Sequence, residues 1–339
     1  MNRSFKTIGQ IFLIIFLINI SADAQDLHFS QFYNSPLNLN PANTGVFNGD
    51  ERFMASYKSQ ARSVPVPWTT FSGQYDRKFY LGKSDDSFIS GGVLFNYDKQ
   101  GLSRLNLTNI NFLGSYTKIL NKKNLITAGL GLGYATRGLS LTSLSWDRQW
   151  DGDAYDPSLP SGENTDMNRI SFLENSIGVN YRYQLTSRTN FDFGIGAYHF
   201  IEPKVAFFAA DDVKLPRRVN LNFRGTYQIN DMFDIQGHAL AQFQGAYDEY
   251  LFGLLTKIYI EQQRGKEFNL HLGFGYRSSG TLIPTIAVEF SRYYASFSYD
   301  IQSFEHDTRN INTGGPEFHF RYIITHVKPL KQFKICPIF

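Results

Sequence analysis

The sequence predicts an all-β protein, a transmembrane outer-membrane β-barrel of about 14 antiparallel strands that follows an N-terminal segment. Three observations favour this fold class. Apolar and polar residues alternate over segments longer than most soluble strands, the number of these segments is even, and the long connections between them all fall at one end. Helical periodicity is nearly absent from the chain.

The composition of the 339 residues excludes several other classes. Aromatic residues make up 16% and charged residues 19% of the chain, whereas disordered chains are poor in aromatics and rich in charge. The single cysteine excludes a disulfide-rich scaffold. The formal net charge of +3 is too small to indicate a nucleic-acid partner.

The first 24 residues are typical of a secretory signal peptide. Arg3 and Lys6 precede the apolar run 11–20, and residues 22–24 form a small-residue cleavage site. The run is too short for a membrane-spanning helix, which needs about 20 apolar residues, and no other stretch is long enough either. A buried N-terminal helix is the alternative interpretation. We therefore predict a signal peptide, an N-terminal segment (25–48) and a barrel (49–339).

Residues 191–198 and 268–276 show the alternation clearly. In each segment the apolar side chains occupy every second position, while Asp, Asn, His or Gly mostly fills the positions between them. Because successive side chains of a strand point to opposite faces, each segment has one apolar face and one polar or small face. An outward apolar face and an inward polar face are typical of outer-membrane barrels.

Fourteen such segments are predicted, and most are long enough for a tilted transmembrane strand, which needs about 9–11 residues. They are 51–60, 67–79, 88–98, 104–118, 125–136, 170–184, 190–201, 217–228, 233–244, 250–261, 267–277, 281–290, 292–301 and 315–327.

The lengths of the connections support the strand count. The long connections are the fifth (137–169), the seventh (202–216) and the thirteenth (302–314), and all three are odd-numbered. If the mature chain starts in the periplasm, these loops lie outside the cell and the tight even-numbered turns lie in the periplasm. A soluble β-sandwich or propeller, the alternative fold, would have shorter strands and more frequent turns.

Two strands contain residues that need a special explanation. Pro284 lies inside the twelfth segment and cannot donate a ladder hydrogen bond, so we expect a β-bulge there. Asn109 and Asn111 occupy successive polar positions of the fourth segment, where they suit the lumen face of a barrel.

The fifth connection is the most chemically varied loop. Four carboxylates lie in residues 147–156, and alternately spaced oxygen ligands can hold calcium, although the complete twelve-residue calcium loop is absent. A solvated acidic loop is the simpler interpretation. Trp146, Trp150 and Tyr155 predict a partner-binding surface, because aromatic residues are enriched at binding hot spots. Packing of these rings onto the barrel mouth is the alternative.

No catalytic, cofactor or metal motif is present in the sequence. The seven histidines show no metal-binding spacing, and no nucleophile elbow, phosphate loop or dinucleotide fingerprint occurs. We therefore predict a non-enzymatic protein without a cofactor, although an active site assembled from distant strands would be invisible in one sequence. Cys336 cannot form an internal disulfide, so it is either buried or available to a partner.

Two terminal runs resemble one known family. Residues 25–45 read QDLHFSQFYNSPLNLNPANTG, and the tail 335–339 reads ICPIF. Both runs are similar to the corresponding ends of the PorP/SprF family. The positions that carry the resemblance are Phe29, Gln31, Pro36, Asn40, Pro41, Gly45, Cys336, Pro337 and Phe339.

The resemblance implies a role in the type IX secretion system of Bacteroidota. Members of the family are outer-membrane proteins, some of which support the secretion or surface display of a large adhesin, including adhesins used in gliding motility. The implied partner is the C-terminal sorting domain of such an adhesin, together with other secretion components and outer-membrane lipid. A porin or a hydrophobic-solute channel is the alternative function. We expect residues 25–48 to plug the lumen or to pack at the periplasmic end.

Overall fold

The computed structural model describes residues 26–60, 68–80, 86–101, 103–140, 144–162, 168–207, 213–263, 265–302 and 314–326. The predicted signal peptide (1–24) and the tail positions Cys336, Pro337 and Phe339 lie outside these ranges. The division into a signal peptide, an N-terminal segment and a barrel therefore stays a prediction.

The described residues form 15 strand segments, which make 14 barrel strands because β14 continues β13 after Asp300. The segments are β1 (Glu51–Gln60), β2 (Trp68–Tyr80), β3 (Ser87–Gln100), β4 (Leu105–Asn121), β5 (Asn124–Gly138), β6 (Arg169–Gln184), β7 (Asn190–Tyr198), β8 (Arg218–Gln228), β9 (Phe233–Gln244), β10 (Tyr247–Glu261), β11 (Phe268–Arg277), β12 (Thr281–Phe290), β13 (Tyr293–Tyr299), β14 (Ile301–Gln302) and β15 (Pro316–Ile324). Four short 3-10 turns lie between or before them.

The strands close into a ring. Each strand pairs antiparallel with the next along the chain, and β15 pairs with β13 on one side and with β1 on the other. Closure gives each of the 14 described barrel strands, with β13 and β14 counted as one, a neighbour on both sides, as a sheet surrounded by lipid requires. The predicted fourteen-strand antiparallel barrel is confirmed. In the described ranges, no helix has the length and apolar character that crossing a membrane demands.

The two faces of the sheet differ as the alternation predicts. On β11, Leu272 and Phe274 are exposed on the outer face, while Asn269 and His271 are buried on the inner face. On β4, Asn109 is likewise buried on the inner face, as predicted. Exposed large apolar side chains thus form the outer surface that lipid contacts, and the polar phase forms the lumen.

The two ends of the barrel differ in the length of their connections. The three longest intervals between described strands, 139–168, 199–217 and 303–315, each connect strand ends on the same side of the barrel, called here the long-loop end. Two-residue turns such as 122–123 and 291–292 lie at the opposite, short-turn end. This arrangement confirms the predicted alternation of loop lengths. In bacterial barrels the long loops face the outside of the cell and the short turns face the periplasm.

The bulge predicted at Pro284 is wrong. Pro284 pairs in regular register with Phe274 on β11. On its other side, Thr285 pairs with Ser298, and Leu282 pairs with Ile301 in the same register. Because proline lacks an N–H group, the ladder is interrupted opposite it, so that β13 and β14 are separate segments, and no extra residue is inserted.

Candidate functional site

Residues 26–50, the lumen segment, run through the interior of the barrel. Their hydrogen bonds reach inward side chains on β1, β2, β3, β4, β8, β13 and β15. The segment begins with Asp26 at the long-loop end and reaches β1 at the short-turn end. Pro36 and Pro41 each open a 3-10 turn, where the missing proline N–H leaves no donor unpaired.

A buried ion cluster holds the lumen segment at the long-loop end. The Glu317 carboxylate accepts the main-chain N–H groups of Ser30 and Gln31, each at 2.7 Å. The Lys58 ammonium lies 3.5 Å from this carboxylate and 3.1 Å from that of Asp300. The Lys58 and Glu317 side chains are fully buried, so their charges depend on one another and on these hydrogen bonds.

Gln31 is fully buried and uses both ends of its side-chain amide. Its Oε1 accepts hydrogen bonds from Asn34 at 3.0 Å and from the hydroxyl of Ser296 at 2.6 Å. Its Nε2 donates to the hydroxyl of Ser298 at 2.8 Å. Phe29 packs edge-on to His319, with ring centroids 5.7 Å apart. These contacts give Phe29 and Gln31, two positions of the family resemblance, a structural role in the lumen.

A second cluster surrounds Asp26 near the same end. One Asp26 carboxylate oxygen lies 2.6 Å from His199 Nε2 and 3.2 Å from an Arg218 nitrogen. His199 Nδ1 lies 3.0 Å from the Glu174 carboxylate. Burial lowers the pKa of His199, but the two carboxylates outweigh burial and raise it to about 9. Burial raises the pKa of Asp26, yet His199 and Arg218 together hold it below its usual range.

The middle of the lumen segment rests on glycines of β5 and β7. The Asn40 side chain accepts the N–H of Ala42 at 2.8 Å and donates to the Val179 carbonyl at 2.9 Å. A Cβ atom at Gly129 would lie 2.4 Å from the Ala42 nitrogen, and one at Gly196 would lie 2.4 Å from the carbonyl oxygen preceding Asn40. Only glycine at these two positions lets the main chains approach so closely.

Gly45 joins the lumen segment to the short-turn end. Its φ of +76° lies in the left-handed region that favours glycine. Its N–H donates to the Asp76 carboxylate at 2.8 Å, and the same carboxylate binds Arg52 through two nitrogens at 2.9 and 2.7 Å. The described positions of the family resemblance, from Phe29 to Gly45, thus all lie in the lumen segment.

Trp146, Trp150 and Tyr155 come together at the long-loop end, where they line an open depression, the aromatic platform. Trp150 and Tyr155 form an isolated β-bridge, and their side chains are 57% and 46% exposed. Buried Gln149 supports them, because its side chain accepts the N–H of Trp146 at 3.2 Å and donates to the Leu159 carbonyl at 3.1 Å. The structure therefore assembles the three rings that the sequence singles out.

The acidic residues of this loop serve its turns. Asp151 Oδ1 accepts the N–H groups of Ala154 at 2.7 Å and Asp153 at 2.8 Å, and these bonds lower the pKa of Asp151. Asp156 binds Ser158 in the same way. Within the described ranges, no group of three or more His, Cys, Asp or Glu side chains converges as a metal site would require.

The buried charge clusters are functional features that sequence reasoning missed. Lys58 and Glu317 both lie at polar, inward positions of the predicted strands. A lysine or glutamate at such a position is ordinarily expected to face water in the lumen. The sequence pattern that could have indicated these clusters is a charged residue at an inward position near small hydroxyl residues such as Ser56 and Ser298. This pattern does not identify the residues that the charged groups contact, because Glu317 lies far from the lumen segment in the sequence.

The profile of the family described as "Type IX secretion system membrane protein PorP/SprF" matches residues 21–322. The chain belongs to the PorP/SprF family. This finding confirms the resemblance of the N-terminal run, and with the barrel fold it identifies an outer-membrane β-barrel of a secretion family. No curated protein sequence matches the chain.

Solved outer-membrane channels are similar in fold to this PorP/SprF barrel. A deletion mutant of the TodX monoaromatic hydrocarbon channel gives a TM-score of 0.52 at 10% identity, covering 85% of this chain and 93% of that one. A Pseudomonas aeruginosa FadL homologue gives 0.50 at 9% identity, covering 83% and 91%. The Pseudomonas putida toluene transporter TodX gives 0.50 at 11% identity, covering 85% and 92%. At such identities the likeness establishes the fold alone.

Replacing Gly129 with alanine should loosen the lumen segment, because the added Cβ atom would meet the main chain at Ala42. We expect faster hydrogen–deuterium exchange in residues 36–45. Gly114→Ala is the matched control, since a Cβ atom there has nothing within 4 Å. Equal exchange in the two variants would contradict the close packing inferred for Gly129.

Replacing Glu317 with alanine should lower the free energy of unfolding by about 3–5 kcal/mol, because Lys58 would lose a buried counterion. The N–H groups of Ser30 and Gln31 would also lose their acceptor. Urea unfolding in detergent, followed by heat-modifiable gel migration, measures the change. Glu202→Ala removes a carboxylate from a largely exposed pair and should change stability little. Similar losses in both variants would argue against the cluster.

The His199 cluster should make the barrel less stable in alkaline solution. The folded pKa of about 9 lies above the ordinary histidine value of 6.5, so protonated His199 favours the folded state. Its contribution is complete below pH 6.5 and is lost as the pH rises through about 9. Urea midpoints between about pH 7 and about pH 10 should fall for the wild type and fall less for His199→Gln. Parallel curves would show that another group controls the change.

Proposed function

We propose that this barrel binds the C-terminal sorting domain of a large secreted adhesin and supports the secretion and surface anchoring of that adhesin. The role is non-enzymatic, and it includes contact with other type IX components and, for some adhesins, gliding motility. Export of the barrel itself would use the signal peptide at residues 1–24. The family match supports the secretion role, and the aromatic platform supports the binding role.

The observation that carries the proposal is the position of the aromatic platform. Trp150 and Tyr155 are exposed at the long-loop end, on a loop that buried Gln149 stabilises. Loops held by a rigid scaffold are common binding sites, and Trp and Tyr are enriched among binding hot spots. Beneath the platform the lumen segment occupies the interior, so a surface partner meets the loops first.

A hydrophobic-solute channel is the second candidate function. A cavity of about 600 Å³ lies at the short-turn end between residues 45–48 and strands β2 to β6. Val46, Phe47, Phe88 and Leu125 are among the apolar side chains in its lining. The similar TodX proteins are a monoaromatic hydrocarbon channel and a toluene transporter. Such a cavity suits an apolar solute, and ligand pockets are commonly lined in this way.

The docking proposal predicts that the platform residues control binding of the sorting domain. The domain would be taken from the adhesin encoded beside this gene and titrated onto the purified barrel in detergent. Replacing Trp146, Trp150 or Tyr155 with alanine should weaken binding about tenfold or more, as for aromatic hot spots.

Tyr227→Ala is the matched control, because Tyr227 is an exposed aromatic on the outer face near the short-turn end. It should bind like the wild type. Unchanged affinity in all three platform variants would exclude the platform as the docking surface. A barrel that ignores the domain but passes apolar solutes into vesicles would favour the channel function instead.

A further inference from the structure

A second cavity lies inside the barrel at the short-turn end and has a volume of about 370 Å³. Its lining is polar, and we call it the basic chamber. Neither the family match nor the proposed docking role assigns it a function. Six cationic side chains line it: Arg52, Arg182, Arg224, Lys257, Arg292 and Arg321. They come from strands on opposite sides of the barrel and from the turn between β12 and β13.

Three carboxylates contact five of these six cations. Asp76 binds Arg52 through both oxygens, as described above. Asp192 binds Arg182 at 2.8 and 2.9 Å and also accepts a nitrogen of Arg224 at 3.0 Å.

Glu289 likewise serves two cations, since it contacts the Lys257 ammonium and lies 3.4 Å from one Arg321 nitrogen. Six cations against three carboxylates leave a surplus of three positive charges around one cavity.

Two of the surplus charges lie on Arg224 of β8 and Arg321 of β15, which line the same cavity from separate strands. Arg224 and Arg321 each touch their shared carboxylate through a single nitrogen, so the remaining guanidinium N–H groups are available for another acceptor. Their side chains are only 33% and 28% exposed. Partly desolvated cations without a full counterion are costly, and a bound anion would remove that cost.

We propose that the basic chamber binds a phosphomonoester group. A guanidinium presents a planar fork of donors that matches phosphate oxygens, and two such forks suit a group that carries two charges on one centre. A single carboxylate would neutralise less of the surplus. The amide and hydroxyl groups of Asn190, Thr226 and Gln236 add neutral hydrogen-bonding partners to the same lining. The volume leaves room for an organic group attached to the phosphate.

Two sources could supply this chemistry at the periplasmic side, a small soluble phosphate ester or the headgroup of a membrane lipid. The test uses the full mature barrel in a non-ionic detergent at about 0.15 M salt, where weak surface attraction is screened. One arm titrates inorganic phosphate and glycerol 3-phosphate by calorimetry. The other arm compares mixed micelles that contain phosphatidic acid with micelles that contain phosphatidylcholine.

We expect saturable phosphate binding that Arg224→Gln and Arg321→Gln each weaken about tenfold or more, since hydrogen bonds to charged groups are being removed. Arg77→Gln is the matched control. Arg77 lies at the same end of the barrel but on its outer face, where it is 45% exposed, so its loss should leave binding unchanged. Heat-modifiable gel migration verifies that each variant is folded.

Binding in the soluble arm identifies a small ester as the source, and binding of phosphatidic acid alone identifies a lipid headgroup. Either result supports the proposal if the two arginine variants lose it. The proposal is overturned if folded wild-type barrel binds no phosphate in either arm. It is also overturned if Arg77→Gln weakens binding as much as Arg224→Gln does, or if an aspartate-rich peptide binds through the same arginines while phosphate does not.

Discussion

The pairing of Lys58 with Glu317 is the interaction on which most of the architecture depends. The two residues are cross-strand neighbours where β1 meets β15, the pair of strands that closes the ring. The same carboxylate accepts the main-chain N–H groups of Ser30 and Gln31. Closure of the barrel and anchoring of the lumen segment therefore share one buried charge. A buried pair of this kind stabilises the fold only while all its partners remain in place, because a single unpaired charge is costly.

The number of strands leaves room for a lumen segment. Side chains alone can fill a barrel of about eight strands, whereas a wider barrel leaves an interior that water or another part of the chain occupies. Here residues 26–50 occupy it with main chain and polar side chains, and glycines such as Gly129 leave the space that this main chain needs. The inward polar side chains of the strands are thus kept away from lipid, and they also form hydrogen bonds with the lumen segment. Buried amides such as those of Gln74, Asn96 and Asn220 hydrogen-bond to that peptide.

The strands could be predicted from the sequence because the alternation of apolar and polar residues is a local pattern. The lengths of the connections then indicated which connections lie at the same end of the barrel. Pro284 shows the limit of prediction from local sequence. A proline in a strand can be accommodated by a bulge or by a gap in the hydrogen bonds to one neighbouring strand, and the neighbouring strand determines which of the two occurs. The lumen contacts could not be predicted, because they join residues such as Ser30 and Glu317 that are almost a whole chain apart. The aromatic platform was predictable as a cluster of residues in one loop, but its support by Gln149 was not.

The lumen segment and the aromatic platform share a pair of strands. The loop that carries the platform connects β5 to β6, and the turn Pro41–Asn43 packs against those same strands at Gly129 and Val179. Glu174, which is nearer the long-loop end of β6, also contacts His199 beside the start of the lumen segment. A partner that pulls on the platform therefore loads a hairpin whose inner face contacts the segment. Where the segment lies against Gly129 and Val179, its main chain packs directly on the strands, so the load there is resisted by this packing as well as by the strand ladder.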